Sequence, residues 1–135
     1  MPDIVDATPV SHRDLLAAPL TATLTTVDPA GRPQSTAVWY LVADGQLACS
    51  NTSDRQKYKN LVGNANCSLF VIDPANAYRT LEVRAEAELT PDRDKATVRR
   101  FAEAYGVDAA MLVNEQEDRY TITLRPRRIV VNPSA

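Results

Sequence analysis

Cysteine and histidine are scarce in this chain. Cys49 and Cys67 are its only cysteines. They form no C-x-x-C pair, so they read as two buried, reduced thiols and not as a disulfide framework. One histidine, His12, and two separated cysteines do not make a zinc set, and no metal site is expected. His12 falls in what looks like a surface helix, where a solvated or capping role outweighs that of a general base. Positive charge is not in excess. Lys and Arg number 15 against 17 Asp and Glu, a net charge of −2, which lacks the basic face that broad nucleic-acid binding needs. No apolar run is long enough to span a bilayer. The segment Met1-Pro2-Asp3-Ile4-Val5-Asp6 has neither a basic n-region nor an apolar h-region, so no export signal is visible and the cytoplasm is the expected compartment. The chain also lacks a G-x-S-x-G elbow, a Walker loop and a G-x-G-x-x-G turn.

What is present is alternation. A chain of 135 residues that is 44% hydrophobic suits one domain over residues 1–135, with 1–10 as a loose N-terminal arm. Ser11 is placed to cap a helix over Arg13–Ala18, which Pro19 ends. Thr21–Val27 and Gln34–Val42 read as a hairpin around Asp28-Pro29-Ala30-Gly31. Ala43-Asp44-Gly45 predicts the next hairpin turn, into a strand over Gln46–Ser50. Cys67–Ile72 is apolar on both faces and so central. In Thr80–Leu89, Leu81, Val83, Ala85, Ala87 and Leu89 face one side, while Glu82, Arg84, Glu86 and Glu88 face solvent. Thr90-Pro91-Asp92 opens a helix carrying Val98, Phe101, Ala102 and Tyr105, which Gly106 stops. Asp108–Val113 adds a further helical turn. Tyr120, Ile122 and Leu124 alternate again. Pro126 interrupts, and Arg128–Val131 completes a sheet of six or so antiparallel strands. A mainly β fold with a few short helices, a small barrel or roll, is predicted.

One stretch points to chemistry. Ser50-Asn51-Thr52-Ser53-Asp54-Arg55-Gln56-Lys57-Tyr58-Lys59-Asn60-Leu61 runs from a strand into a helix. A helix N-terminus presents free N–H groups and a partial positive charge, and so accepts phosphate. Arg55 adds a planar fork and Lys57 a point charge. Residues two apart do not share a helix face, so the pair converges on one anion if the chain is still extended at Arg55. Lys59 and Asn60 either join that contact or simply solvate and cap the helix. With no acid–base constellation in view, a cofactor that carries its own chemistry fits best.

The order and spacing of Leu15–Asp28, Gly31-Arg32-Pro33-Gln34-Ser35-Thr36-Ala37-Val38-Trp39-Tyr40, Arg55-x-Lys57 and Leu81–Thr90 resemble a known group. It is the split β-barrel flavin and deazaflavin oxidoreductases, the pyridoxamine-phosphate-oxidase-like superfamily. Within it the chain is most similar to the small actinobacterial reductases that use coenzyme F420. The resemblance implies a homodimer with two cofactor sites at the subunit interface and a small-molecule substrate. It maps the phosphate onto Arg55 and Lys57. The ring system falls along Gln34, Ser35, Thr36, Ala37 and Val38, and the ribityl chain or phosphate beside Ser50, Asn51, Thr52 and Ser53. Tyr78 and Arg79 are candidates to cover the cofactor of the partner subunit. Trp39 and Tyr40 are either packing residues or a substrate wall. The tail Arg125-Pro126-Arg127-Arg128-Ile129-Val130-Val131 has no Arg-x-His segment and no Trp, which argues against vitamin B6 oxidation. The expected activity is hydride transfer from reduced F420 to a conjugated acceptor. The alternatives are FMN on the same fold, or a non-catalytic F420 carrier.

Overall fold

The computed structural model describes residues 3–114 and 116–134. Met1 and Pro2, part of the expected N-terminal arm, lie outside the described residues. Seven antiparallel strands form one sheet in the order β2-β1-β5-β6-β7-β4-β3. The strands are β1 (Thr21–Val27), β2 (Pro33–Trp39), β3 (Leu41–Ala43), β4 (Gln46–Thr52), β5 (Asn66–Asp73), β6 (Asn76–Pro91) and β7 (Arg119–Asn132). The helices are α1 (Ile4–Ala7), α2 (Asp14–Ala17), α3 (Gln56–Gly63), α4 (Ala96–Ala104) and α5 (Ala109–Leu112). No helix among the described residues is long and apolar enough to cross a membrane.

The register shows how alternation becomes a core. Leu24, Leu69, Val83 and Ile129 lie opposite one another across β1, β5, β6 and β7. Cys49, Ile122 and Leu89 make a second row across β4, β7 and β6. Leu24, Leu69 and Val83 are fully buried, as are Leu47, Leu81, Ile122 and Leu124. Period-two side chains from neighbouring strands meet on one face, and the sheet curls around them.

The curl follows from the chain at Tyr40. The sequence predicts one strand over Gln34–Val42, but the structure breaks it there. β2 and β3 are joined by this single residue, yet they occupy opposite edges of the sheet. The two edges must therefore approach, closing a barrel with an unpaired seam, the split barrel expected from the sequence. Tyr40 leaves the strand ladder. Its N–H donates to Tyr105 Oη at 3.0 Å, and its carbonyl accepts from the same hydroxyl at 2.8 Å. Its own hydroxyl donates to the Leu15 carbonyl at 2.5 Å. A distant side chain thus satisfies backbone groups that a ladder would otherwise use.

Other boundaries also shift. From Asp3 onward the expected loose arm is ordered. Asp3 caps α1 through Val5 N–H at 2.8 Å, Ile4 N–H donates to the Gly45 carbonyl at 2.9 Å, and Ile4 is buried. Ser11 does not cap a helix over Arg13–Ala18. A 3-10 turn at Val10–His12 precedes the short α2, and Ser11 Oγ bonds to His12 Nδ1 at 2.7 Å. His12 is buried, not solvated, and its Nε2 meets the Asn132 carbonyl at 2.9 Å. β4 extends to Thr52. Pro126 does not end a strand. β7 runs through it, because the β6 register shift between Arg84 and Ala85 absorbs the missing donor. β6 likewise continues to Pro91, so Pro91 is not the first helical residue. α4 starts only after Lys95, which takes a left-handed backbone with φ +61°.

Both thiols are free. Burial pushes each up to about 12, so neither is a thiolate near neutral pH.

Candidate functional site

The seam between the two sheet edges is where polar side chains collect. β2 brings Ala37, Val38 and Trp39 to one side. The end of β4 brings Ser50, Asn51 and Thr52 to the other. After Thr52 the chain turns. Ser53 N–H donates to the Asp118 carbonyl at 3.0 Å, and Arg55 N–H to the Thr52 carbonyl at 3.2 Å. Arg55 is the residue before α3, with an extended backbone at φ −78° and ψ 145°, and no side chain caps the helix. This is the condition under which Arg55 and Lys57 can converge. Both line one cavity of about 560 Å³ with the β2 and β4 residues. Thr21, Val98 and Phe101 of α4, Leu112 of α5 and Arg119 of β7 complete it.

The cavity is cationic. Arg55, Lys57 and Arg119 line it, and among the described residues no carboxylate or histidine does. Lys57 is half-buried. Burial and the neighbouring Arg55 cation hold its amine below the usual lysine range. Asp54 stands beside the cluster. A hydrogen bond from Thr52 Oγ1 at 2.5 Å, followed by the nearby Arg55 charge, keeps its carboxyl low. Arg119 is held by Ser50 Oγ and the Leu112 carbonyl, both at 3.2 Å, and Glu117 comes no closer than 3.8 Å.

One wall is aromatic. Trp39 stacks on Tyr105 with ring centroids 4.4 Å apart and planes 8° from parallel. Tyr105 Oη is fixed between the Leu20 and Tyr40 carbonyls, at 2.7 and 2.8 Å. Phe101 also lies against Tyr105, with ring centroids 6.2 Å apart. The tryptophan face is thus held against a ring whose hydroxyl is itself anchored at the Tyr40 and Leu20 carbonyls.

The sequence-predicted residues divide. Ala37, Val38, Ser50, Asn51, Thr52, Arg55 and Lys57 line the cavity. Gln34 and Asn60 do not. Asn60 is buried, donates to Thr26 Oγ1 at 3.0 Å and Gln34 Oε1 at 3.1 Å, and accepts from Gln56 at 2.8 Å. That network ties α3 to the hairpin. Ser35 is exposed and bonds to Thr25 across the hairpin at 2.9 Å. Thr36, Ser53 and Lys59 are also off the lining, although Thr36 Oγ1 is buried without a partner among the described residues. Tyr78 is 82% exposed, at the start of β6. Its neighbour Arg79 ion-pairs with Asp14 and with Asp73 at 2.9 Å. Sequence reasoning missed Arg119, Thr21, Val98, Phe101 and Leu112. Only the folded chain brings α4, α5 and the start of β7 against the seam.

A family model described as pyridoxamine 5'-phosphate oxidase matches residues 9–131. The chain belongs to this family. Among solved structures it is similar to one named F420 reductase, at 34% identity and a TM-score of 0.81, covering 91% of this chain and 98% of that one. It is also similar to a conserved hypothetical protein from Mycobacterium tuberculosis, at 25% identity and a TM-score of 0.72, covering 87% and 79% of the two chains. A putative pyridoxamine 5'-phosphate oxidase from Listeria innocua shares the fold, at 18% identity and a TM-score of 0.63, over 84% of this chain and 89% of that one. No curated protein matches the sequence. In this member of the pyridoxamine 5'-phosphate oxidase family, the arginines of the tail serve the sheet. Arg125 pairs with Glu88 and Arg127 with Glu86, and neither lines the seam cavity.

Proposed function

We propose that this chain is an oxidoreductase that uses a phosphate-bearing deazaflavin, coenzyme F420, to reduce a conjugated small molecule, and that it works as a homodimer. The observation that carries the reading is the seam cavity. It joins Arg55 and Lys57, the hydroxyls of Ser50 and Thr52, and a flat Trp39 wall in one space with no lining carboxylate among the described residues. The 34% identity to an F420 reductase over nearly the whole chain favours the deazaflavin.

The residues present fit such a group. Arg55 and Lys57 would hold the phosphate by charge-assisted hydrogen bonds, with Ser50 and Thr52 beside the ribityl chain. Ala37 and Val38 are small enough for a ring to lie along β2, and Trp39 gives it an edge. When bound, the reduced deazaflavin supplies a hydride equivalent to the acceptor. The chain's own share is to bind, orient and exclude water. Among the described residues no lining side chain is a carboxylic acid or an imidazole, so the proton that accompanies reduction is assigned to neither kind of group. That same lack is the feature a carrier protein would share.

Titration with F420 and separately with FMN, followed by Trp39 fluorescence, tests the reading. F420 should bind in the micromolar range, and more tightly than FMN. A double variant Arg55→Ala/Lys57→Ala removes two charged contacts of about 1.5–3 kcal/mol each. Its affinity should fall on the order of a hundredfold or more. Preference for FMN would move the cofactor to the flavin. Binding of neither would end the phosphate-grip reading. Turnover with enone or quinone acceptors separates a reductase from a carrier.

A further inference from the structure

The seam cavity holds a second polar feature, which the phosphate grip does not use. Two buried donors on its wall have no hydrogen-bond partner among the described residues: Nδ2 of Asn51 and Nε of Arg119. Asn51 is only 4% exposed. Arg119 is one strand away, since β7 pairs Arg119 with Thr52 and Tyr120 with Asn51. The other two guanidinium nitrogens of Arg119 are already committed, to Ser50 Oγ and the Leu112 carbonyl. The fork is therefore held at both ends, and the buried Nε–H is left without an acceptor among the described residues. A buried donor without an acceptor is costly and rare, and it is relieved when a ligand supplies the acceptor.

The surroundings decide what kind of acceptor. Arg119 is anchored to the α5 carbonyl of Leu112, and Leu112 lines the cavity with Val98 and Phe101 of α4. Beyond the Ser50 hydroxyl that anchors Arg119, this side of the cavity is apolar and aromatic. A few fixed donors in an apolar wall orient a flat, carbonyl-bearing molecule. The Arg119 Nε–H and the Asn51 Nδ2–H2 can only donate, so they call for an acceptor such as a carbonyl oxygen and not an N–H.

Building on the proposed function, we infer that Arg119 and Asn51 form a donor pair that binds an oxygen on a conjugated ring, separate from the Arg55/Lys57 phosphate grip. Two sources share that chemistry: a carbonyl of the cofactor ring, or the carbonyl of a conjugated acceptor. In either case Arg119 and Asn51 set orientation at the ring end of the site, and Arg55 and Lys57 retain the phosphate end.

The test uses the full chain with two deazaflavins: F420, and its riboside lacking the phosphate. The variants are Arg119→Met, Asn51→Leu and the Arg55→Ala/Lys57→Ala pair, each checked for folding by thermal denaturation. Arg119→Lys serves as a second variant that keeps the charge and the buried volume but loses the Nε–H. If the oxygen belongs to the cofactor, Arg119→Met, Arg119→Lys and Asn51→Leu weaken both deazaflavins by about the same factor, roughly tenfold or more for a charge-assisted bond. The affinity ratio between F420 and the riboside is then preserved. The Arg55/Lys57 variant instead collapses that ratio and leaves riboside binding intact. If the oxygen belongs to the acceptor, binding of both deazaflavins is unchanged and KM for a quinone acceptor rises by about tenfold. Loss of F420 binding alone, with normal riboside binding, would place Arg119 in the phosphate grip and overturn the pair. Normal binding and normal KM in all three single variants would overturn it too, with the proposed function intact. A wild-type protein that binds neither deazaflavin nor FMN would overturn both readings.

Discussion

At the scale of single residues, the cavity gathers three cations, Arg55, Lys57 and Arg119, in one space. Arg119 has neutral anchors in Ser50 Oγ and the Leu112 carbonyl and an ion pair with Glu117 at 3.8 Å. Lys57 is half-buried, and burial and Arg55 together hold its amine below the ordinary range. This has a consequence for binding. A free Lys57 with a lowered pKa sheds its proton at a lower pH than an exposed lysine does. A phosphate bound against it favours the charged form and draws the proton back. Binding is therefore linked to proton uptake on the alkaline side, and affinity falls as pH rises toward the range of the lowered amine. In Lys57→Arg the cation stays charged throughout, so the alkaline loss should flatten. Calorimetry of F420 binding from pH 7 to 10, in buffers of different ionisation enthalpy, measures this uptake. An equal alkaline loss in wild type and Lys57→Arg would show that another group titrates.

At the scale of elements, α4 is the wall that local sequence places least well. Its N-terminus is capped from a distance. The Asp92 carboxylate, 4% exposed, accepts from Thr97 N–H at 3.2 Å and Val98 N–H at 3.1 Å, across the left-handed Lys95. Asp92→Ala strands both donors and should cost about 2 kcal/mol. Urea unfolding would show this as a lower midpoint with an unchanged slope. Because Val98 and Phe101 line the cavity, ligand affinity should drop in the same variant, although no ligand contact is removed. Stability equal to wild type would mean that the cap is dispensable. The same element shows what was legible in advance. Period-two patterns such as Leu81, Val83 and Ala85 locate strands, because burial acts on every second residue whatever the tertiary fold. The Arg55-x-Lys57 turn is legible because its chemistry is local. The break at Tyr40 is not, since it depends on a hydroxyl from Tyr105. Nor is the burial of His12, which depends on the Asn132 carbonyl at the far end of the chain. Arg119 reads as an ordinary strand arginine until β4, α5 and β7 meet. Gln34 and Asn60 show the converse: polar residues near a phosphate motif that the fold spends on each other.

At the scale of the whole molecule, the sheet has an outer face that one chain leaves uncovered. On β5, Leu69 and Val71 point inward and are fully buried, while Phe70 and Ile72 alternate with them and are 37% and 47% exposed. Tyr78, at the start of β6, is 82% exposed. Large apolar side chains grouped on one strand and its hairpin mark an interaction face more often than a solvated one. In the proposed homodimer this face packs against its copy. Tyr78, remote from the cavity of its own chain, is then free to reach the cavity of the partner. Sedimentation equilibrium should therefore give a mass twice the 14.8 kDa of one chain. A Phe70→Glu/Ile72→Glu variant places charge on both exposed positions without touching the inward row, so the fold should survive while the dimer dissociates. F420 affinity separates two forms of the idea. If the partner completes the site, the monomeric variant loses affinity, and Tyr78→Ala in the intact dimer reproduces part of that loss. If each chain binds alone, the monomer keeps its affinity, and Tyr78 has no place in the site. A wild-type protein that sediments as a single chain at micromolar concentration would refute the dimer itself, leaving the seam cavity to account for binding unaided.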